Sequence, residues 1–269
     1  MATFPQTSIA AAPRESAWGI TEERIRAKVD ELVRAYHPLR IIAFGSWARG
    51  EARSDSDLDL AVILDEASRV VPESAVAPRI EMSVDVLVEE RERHQRWAFA
   101  IASVHHDIAT QGIVLYDREE GRGTTPFYAT PSQEDLLSIK SESIAALMKI
   151  AGRDENTLHL DANDVETRAY HGQQALEKLM KVWLAAADIV PTRTHILEDL
   201  AAELQKNGLT LPVLPVNLKA VTEYATTWRY FPVPDSDKLD LGPLQQAVRL
   251  LREHVLQELA TRKIQIKRP

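Results

Sequence analysis

The sequence predicts an α+β protein in which a small mixed-sheet domain is followed by an all-α, up-and-down helical bundle. Short apolar runs typical of buried strands occur before residue 117. A stretch rich in charge, Gly, Pro and Thr, "DREEGRGTTPFYATP" at 117–131, then resembles a linker in composition. Beyond it, apolar residues recur at helical spacing and strand patterns almost disappear. Strands and helices segregated along a chain in this way indicate an α+β architecture.

The same patterns divide the chain into four segments. We expect a flexible leader at 1–20, a sheet-containing domain at 21–117, a linker at 118–131 and a helical domain at 132–269. The leader lacks the basic start and apolar core of a signal peptide. With 269 residues, the chain is long enough for each half to bury its own core.

Composition excludes several classes of function. The chain has no Cys, so disulfides, thiolate catalysis and Cys-based zinc sites are excluded. No apolar run approaches the roughly 18 residues that a membrane span needs, so we expect a cytoplasmic protein with no membrane partner. The net charge of −8 argues against bulk nucleic-acid binding, which needs a basic surface.

The first domain is expected to open with a helix capped by Thr21, with Ile20 and Ile25 placed as a hydrophobic staple. His105 and His106 are expected to close a later helix and to contact its last carbonyls. The elements expected after the first helix are, in chain order, a strand at 40–44, a Gly-Ser turn, strands at 57–64 and 79–88, a helix at 92–109 and a strand at 112–116. The helix at 92–109 is the one that His105 and His106 would close.

The second half is expected to contain five helices. Ser132 would cap the first, and Asp161 or Asn163 would open the second. Short connections between them favour antiparallel neighbours in an up-and-down bundle. The predicted ranges are 133–151, about 161–188, 193–206, a short helix after Pro215, and 243–262.

Three aspartates indicate a metal site in the first domain. Asp57 and Asp59 are two residues apart at the start of a strand, so they share a face. Asp85, in "SVDVLV", could lie at the same level on a neighbouring strand. Carboxylates brought together in this way repel one another unless a cation joins them. Mg²⁺ takes oxygen ligands of this kind together with substrate phosphates.

A Gly-Ser turn precedes the aspartates. Glycine lets the backbone approach a phosphate closely, and the N–H and hydroxyl of a following Ser can hold phosphate oxygens. Gly45 and Ser46 therefore add a phosphate-binding element upstream of the expected metal site.

The stretch "GSWARGEARSDSDLDL" with the later Asp85 resembles the nucleotidyltransferase superfamily, especially its MNT branch and the aminoglycoside nucleotidyltransferases. The resemblance implies transfer of a nucleoside monophosphate, AMP above all, from an NTP such as ATP to a hydroxyl acceptor. It also implies two Mg²⁺ ions as cofactors. An aminoglycoside-like small molecule and a protein side chain are both open as acceptors.

The same resemblance implies roles for individual residues. Asp57, Asp59 and Asp85 would be the catalytic metal ligands. The nucleotide would be bound by Gly45, Ser46, Arg49 and Ser56. The general base is left open among Asp85, Glu89 and Glu90.

A polar row marks the long helix of the second half. His171, Gln174, Lys178 and Lys181 recur at spacings of three, four and three, opposite an apolar stripe. The pattern alone favours a solvated face. The stretch "HGQQALEKLMK" also resembles the HEPN family, helical bundles often fused to MNT nucleotidyltransferases. That resemblance implies that His171, Gln174 and Lys178, with His195 and Arg229, contact the nucleotide or the acceptor.

Two alternative functions stay open. One is a toxin–antitoxin-like module in which a HEPN ribonuclease is regulated by its nucleotidyltransferase domain. Arg249 and His254 have the spacing of the ribonuclease pair, although residues five apart lie roughly 140° apart around a helix. The other is a nucleotide sensor that binds without turnover. The sequence also leaves a homodimer open.

Overall fold

The computed structural model describes residues 19–68, 82–119, 127–161, 164–226 and 240–264. The chain divides into two compact units, Met1–Ser132 and Gln133–Pro269. Nearly all of the expected leader lies outside the described residues. Ile20, its last residue, is 2% exposed and belongs to the core of the first unit.

The first unit opens with α1, Glu22–Tyr36. The Thr21 hydroxyl accepts the Arg24 N–H at 3.2 Å, as predicted for an N-cap. Ile20 and Ile25 are both buried in one cluster, which fits the predicted staple.

A four-stranded mixed sheet follows, with the strand order β3-β2-β1-β4. β1 pairs antiparallel with β2 and with β4, whereas β2 pairs parallel with β3. The strands are β1 Arg40–Phe44, β2 Leu58–Leu64, β3 Val84–Glu90 and β4 Ile113–Asp117. The helices between them are α2 Gly45–Arg49, α3 Arg91–Trp97 and α4 Val104–Gln111. Part of the strand predicted at 79–88 lies outside the described residues.

The two faces of β2 pack against different partners. Leu58 and Leu60 lie in the same buried cluster as α1, whereas Ala61 lies in a second cluster with Ile108 of α4. Since side chains alternate along a strand, Asp59 shares the face of Ala61. The carboxylate therefore occupies the α4 side of the sheet, at the end where β2 begins.

The single helix predicted over 92–109 is wrong. It is two helices, α3 and α4, because Ser103 caps α4 by accepting the His106 N–H at 3.2 Å. The Ser103 hydroxyl also donates to the Trp97 carbonyl at 3.0 Å, which ties the two helices together. His105 and His106 consequently lie in the first turn of α4 and do not close a helix.

The last part of the expected linker packs on the first unit. Phe127 is 8% exposed, and the Arg40 guanidinium lies 3.9 Å from the centre of its ring. Tyr128 packs against the buried cluster that contains Phe127, Ala61 and Ile108. These residues bury apolar area and make a cation–π contact, so they extend the sheet domain beyond the expected boundary at 117.

The second unit is helical. Its central element is α6, which packs against α5, α7 and α9. Asp164 caps α6 by accepting the Thr167 N–H at 2.8 Å, so neither Asp161 nor Asn163 is the cap. The helices are α5 Gln133–His159, α6 Val165–Ala186, α7 Leu197–Lys206, α8 Leu218–Thr222 and α9 Gly242–Thr261. Within the described ranges, no helix is both long enough and apolar enough to cross a membrane.

Candidate functional site

Strand pairing brings Asp59 and Asp85 to the same level of the sheet. Asp59 on β2 is the register partner of Phe44 at the end of β1 and of Asp85 on β3. Paired residues of neighbouring strands point to the same face. The sheet therefore places Asp59 between the last residue of β1, where the Gly-Ser turn starts, and the predicted third carboxylate.

Gly45 lies directly against the Asp59 carboxylate. A Cβ built on Gly45 would overlap Asp59 Oδ2, and the φ of Gly45 is +71°, in the left-handed region. Both the space and the backbone conformation require glycine here. The close approach brings the Gly-Ser turn into contact with one of the three aspartates, Asp59.

Asp57 and Asp85 are the solvent-facing members of the three. Both are exposed, and the Ser83 hydroxyl donates to Asp57 Oδ1. No group of three His, Asp or Glu side chains in the described part of the chain stands ready to hold a metal ion. The three aspartates nevertheless offer carboxylate oxygens, and that of Asp59 lies next to Gly45, which has no side chain. Such oxygens suit a hard divalent cation whose remaining ligands are phosphate oxygens.

The loop between α2 and β2 is fixed by Trp47. Its ring is 4% exposed, and its indole N–H donates to the Ser56 carbonyl at 3.3 Å. The Ser56 hydroxyl accepts the Arg53 N–H at 2.9 Å. Ser56, a predicted phosphate contact, thus has a turn-forming role in this structure, and it leads directly into Asp57.

Arg49, another predicted phosphate contact, lies at the end of α2. Its Nε is 2.6 Å from a Glu51 carboxylate oxygen. Its Nη1 is buried and has no hydrogen-bond partner among the described residues. The Nη1 group of Arg49 can therefore still donate a hydrogen bond near the Gly-Ser turn. Ser46, the second residue of that turn, is partly buried at the start of α2.

The structure places Glu89 and Glu90 at the opposite end of β3 from Asp85. Glu89 is buried at 8% exposure, whereas Glu90 is exposed and ends β3. Four residues of strand separate Glu89 from Asp85, a distance of roughly 13 Å. Glu89 is therefore remote from the level at which the aspartates lie.

Glu89 instead joins two histidines. Its carboxylate oxygens lie 2.6 Å from His94 Nδ1 and 2.7 Å from His105 Nε2, and His94 Nε2 lies 2.7 Å from the Tyr128 hydroxyl. Burial alone would raise the pKa of Glu89, but the hydrogen bonds and charges of His105 and His94 outweigh it and lower the pKa to about 2. Sequence reasoning missed this cluster, because its members come from β3, α3, α4 and the expected linker.

The polar row of α6 is not a solvated face. His171 Nδ1 lies 2.8 Å from Asp154 Oδ1, and Lys178 Nζ lies 2.9 Å from Asp154 Oδ2. Asp154 is buried on α5. The Lys178 ammonium also donates to Gln174 Oε1 at 2.8 Å. The prediction of a solvated face is wrong because α5 supplies a buried carboxylate opposite the row.

Glu177 organises the rest of this network. It is 4% exposed and accepts from Lys181 Nζ at 2.8 Å, with His195 Nδ1 at 3.1 Å. Burial would raise the pKa of Glu177, but His195 and Lys181 lower it to about 2. The Gln173 amide, fully buried, donates to the His195 carbonyl at 2.9 Å. Asp154, Gln173 and Glu177 were not predicted as site residues, and Arg229 lies outside the described residues.

The ribonuclease alternative gains no support from α9. Arg249 is exposed, whereas the His254 ring packs edge-on against Trp183 with centroids 4.5 Å apart. His254 Nε2 is buried without a hydrogen-bond partner in the described residues. The half-buried imidazole packs on Trp183 while Arg249 is exposed, and residues five apart lie on different faces of a helix, so α9 does not bring the two side chains together.

Comparison with protein-family models agrees with the class that the fold and the site define, a two-domain protein with a nucleotide-transfer unit and a helical unit. A nucleotidyltransferase domain matches residues 22–126. A HEPN domain matches residues 145–259. The chain is a nucleotidyltransferase domain fused to a C-terminal HEPN domain, and these domains support a general nucleotidyltransferase function with an NTP substrate. A search of the curated proteins found no match.

Proposed function

We propose that the protein transfers a nucleoside monophosphate, with AMP from ATP as the first candidate, to a hydroxyl acceptor. The acceptor hydroxyl loses its proton to water as its oxygen bonds to the α-phosphorus, the bond from that phosphorus to the bridging oxygen breaks, and pyrophosphate leaves. The observation that carries the proposal is the position of Asp59, whose carboxylate lies against Gly45 and whose register partner is Asp85.

Asp57, Asp59 and Asp85 are the residues that would hold divalent cations, two Mg²⁺ ions by our proposal. When bound, such ions neutralise the charge of a triphosphate and of the oxygens at the reacting phosphorus. Asp59 is partly buried between β1 and β3, whereas Asp57 and Asp85 face solvent. Asp57 and Asp85 are accessible to the nucleotide, whereas Asp59 is held in position by strand pairing on both sides.

The chain itself supplies the positioning. Gly45 leaves space for the Asp59 carboxylate, Ser46 presents its N–H and hydroxyl to a phosphate, and Arg49 Nη1 has no hydrogen-bond partner among the described residues. Trp47 and Ser56 hold the intervening loop in place. Groups fixed before the substrate binds contribute most to rate when they surround the position where charge develops.

The helical domain would contact the acceptor or the nucleotide through His171, Gln174 and Lys178, and we extend this proposal to Arg229. His171 and Lys178 are each held by Asp154. A row fixed in this way loses little side-chain entropy when it binds a ligand. The net charge of −8 favours a cationic small molecule such as an aminoglycoside-like compound over an anionic acceptor. A protein hydroxyl is the second class to test.

Incubation of the full chain with each α-labelled NTP and Mg²⁺, with and without an aminoglycoside panel, tests the proposal. Asp57→Asn and Asp59→Asn remove the proposed ligands with little change of size, and Asp30→Asn, at an exposed position of α1, is the matched control. We expect label to move to the drug or to the protein in the wild type and in Asp30→Asn alone. Transfer that persists in both site variants would refute the proposed site. An unchanged NTP with pyrophosphate absent throughout would favour the sensor instead.

A further inference from the structure

Asp57 has a hydroxyl partner on the neighbouring strand. The Ser83 hydroxyl donates to Asp57 Oδ1, although the two residues are 26 positions apart in the sequence. Asp57 is exposed, so without a partner its carboxylate would rotate freely in solvent. A hydrogen bond to one carboxylate oxygen limits that rotation and leaves the other oxygen available.

Ser83 is itself held by the backbone. The Leu58 N–H donates to the Ser83 carbonyl at 3.1 Å, and Leu58 is fully buried. The next pair, Leu58 and Val84, is the first in the register of β2 and β3. Ser83 and Asp57 therefore lie side by side, one residue before the paired strands, and both are anchored by the same buried residue.

We propose that Ser83 is a positioning residue that orients the Asp57 carboxylate for a divalent cation. The inference rests on the proposed function, because it assigns Asp57 as a metal ligand. Ligating carboxylates are commonly oriented by hydrogen bonds from residues behind them, and loss of such a partner costs about 10- to 100-fold in metal affinity or activity. Ser83 has this relation to Asp57 through Oδ1, which leaves Oδ2 as the oxygen proposed to bind the cation.

Two substitutions at Ser83 separate the hydroxyl from its surroundings. Ser83→Ala removes the donor, whereas Ser83→Thr keeps a hydroxyl at the residue that directly precedes β3, and β-branched residues are favoured in and beside strands. Ser68→Ala is the matched control, because Ser68 donates to Asp65 Oδ1 at 3.1 Å beyond the opposite end of β2. It deletes the same kind of contact far from Asp57.

The first measurement is the affinity of the full chain for Mn²⁺ without nucleotide, detected by electron paramagnetic resonance. The kcat and KM for transfer are determined in parallel. We expect Ser83→Ala to weaken Mn²⁺ binding by about 10-fold or more and to lower kcat more than it raises KM. We expect Ser83→Thr to restore most of the affinity and Ser68→Ala to leave it unchanged. Thermal unfolding of each variant shows whether the fold is retained.

Asp57→Asn distinguishes failure of the inference from failure of the proposed function. If Asp57→Asn abolishes Mn²⁺ binding while folded Ser83→Ala binds like the wild type, the positioning role is overturned and the metal site stands. If Asp57→Asn binds Mn²⁺ like the wild type, Asp57 is not a metal ligand, and both its proposed role in the site and the inference are refuted. Equal weakening by Ser83→Ala and Ser83→Thr also overturns the inference, because the hydroxyl is then irrelevant.

Discussion

The Asp59 carboxylate occupies the space in which a side chain at residue 45 would begin, because Gly45 and Asp59 are in direct contact. The contact joins the end of β1 to the start of β2. It makes the Gly-Ser turn and the acidic strand one structural unit, so a change on either side displaces the other.

Gly45→Ala should abolish transfer. The new Cβ overlaps Asp59 Oδ2, and the positive φ of residue 45 adds about 1–2 kcal/mol of strain for any L side chain. We expect transfer to fall by about 100-fold or more and Mn²⁺ affinity to fall with it. Gly208→Ala is the control, since Gly208 has a φ of +74° with nothing within 4 Å of a built Cβ. If the control loses as much affinity, the loss in Gly45→Ala does not depend on the Asp59 contact.

Trp47→Phe tests the loop that leads into Asp57. The change keeps an aromatic ring in the core and removes the N–H that donates to the Ser56 carbonyl. Loss of one such bond should cost about 1 kcal/mol in the free energy of unfolding. We also expect kcat to fall by about fivefold, because the loop before the aspartates gains freedom.

Trp183→Phe provides the comparison for Trp47→Phe. Trp183 lies in the helical unit and donates its indole N–H to a Glu258 oxygen at the same distance, 3.3 Å. Urea unfolding should show a similar loss of stability in both variants. A similar loss of kcat in both would contradict a specific role for Trp47.

Glu89 should make the stability of the first unit dependent on acid pH. Its pKa is lowered from 4.5 to about 2 in the folded protein, so its stabilisation is complete above pH 4.5 and is lost as pH falls towards 2. The shift corresponds to a contribution on the order of 3 kcal/mol. Glu89→Gln should lower the free energy of unfolding at pH 7 and flatten its decline between pH 4.5 and 2.

Denaturant unfolding at several pH values measures this effect, with Glu90→Gln, at the exposed neighbouring position, as the control. Glu177 in the helical unit also has a pKa lowered to about 2, so the Glu89→Gln variant keeps one acid-sensitive carboxylate. An unchanged pH profile in Glu89→Gln would show that the two histidines do not stabilise a charged carboxylate.

Gly172→Ala should destabilise the helical unit by about 1–3 kcal/mol through overpacking. A Cβ at residue 172 would lie 2.5 Å from Leu244 Cδ2 and 3.2 Å from Leu158 Cδ1. Gly152→Ala on α5 is the control, because its nearest neighbour is the flexible end of Arg252 at 3.3 Å. Replacing helical Gly by Ala otherwise stabilises by roughly 0.5–1 kcal/mol. Thermal unfolding of the pair should therefore move in opposite directions.

Local patterns sufficed to predict β2, which carries Asp59, and the start of α1. The apolar run after Asp57 predicts β2, and the capping residue Thr21 predicts the start of α1. Both features depend on residues that are close together in the sequence. The α+β class followed from the change of pattern after residue 117.

Long-range polar contacts were not predictable in the same way. Asp154 and His171 come from different helices, and nothing within either helix indicates that the other supplies a partner. The break between α3 and α4 was also missed, since Ser103 interrupts an otherwise continuous apolar pattern only through its capping bonds. Patterns report which residues are buried, whereas pairings depend on the completed fold.

The parallel pairing of β2 with β3 has a consequence for the order in which the candidate site forms during folding. Gly45, Asp57 and Asp59 are close in the sequence, but Ser83 and Asp85 join them only after strands 26 residues apart have paired. Pairings between distant segments form later than local ones, because loop closure costs entropy before any contact repays it. A chain emerging from the ribosome with only its first two strands holds Asp57 and Asp59 but not Asp85, so the acidic group is completed only when β3 pairs with β2.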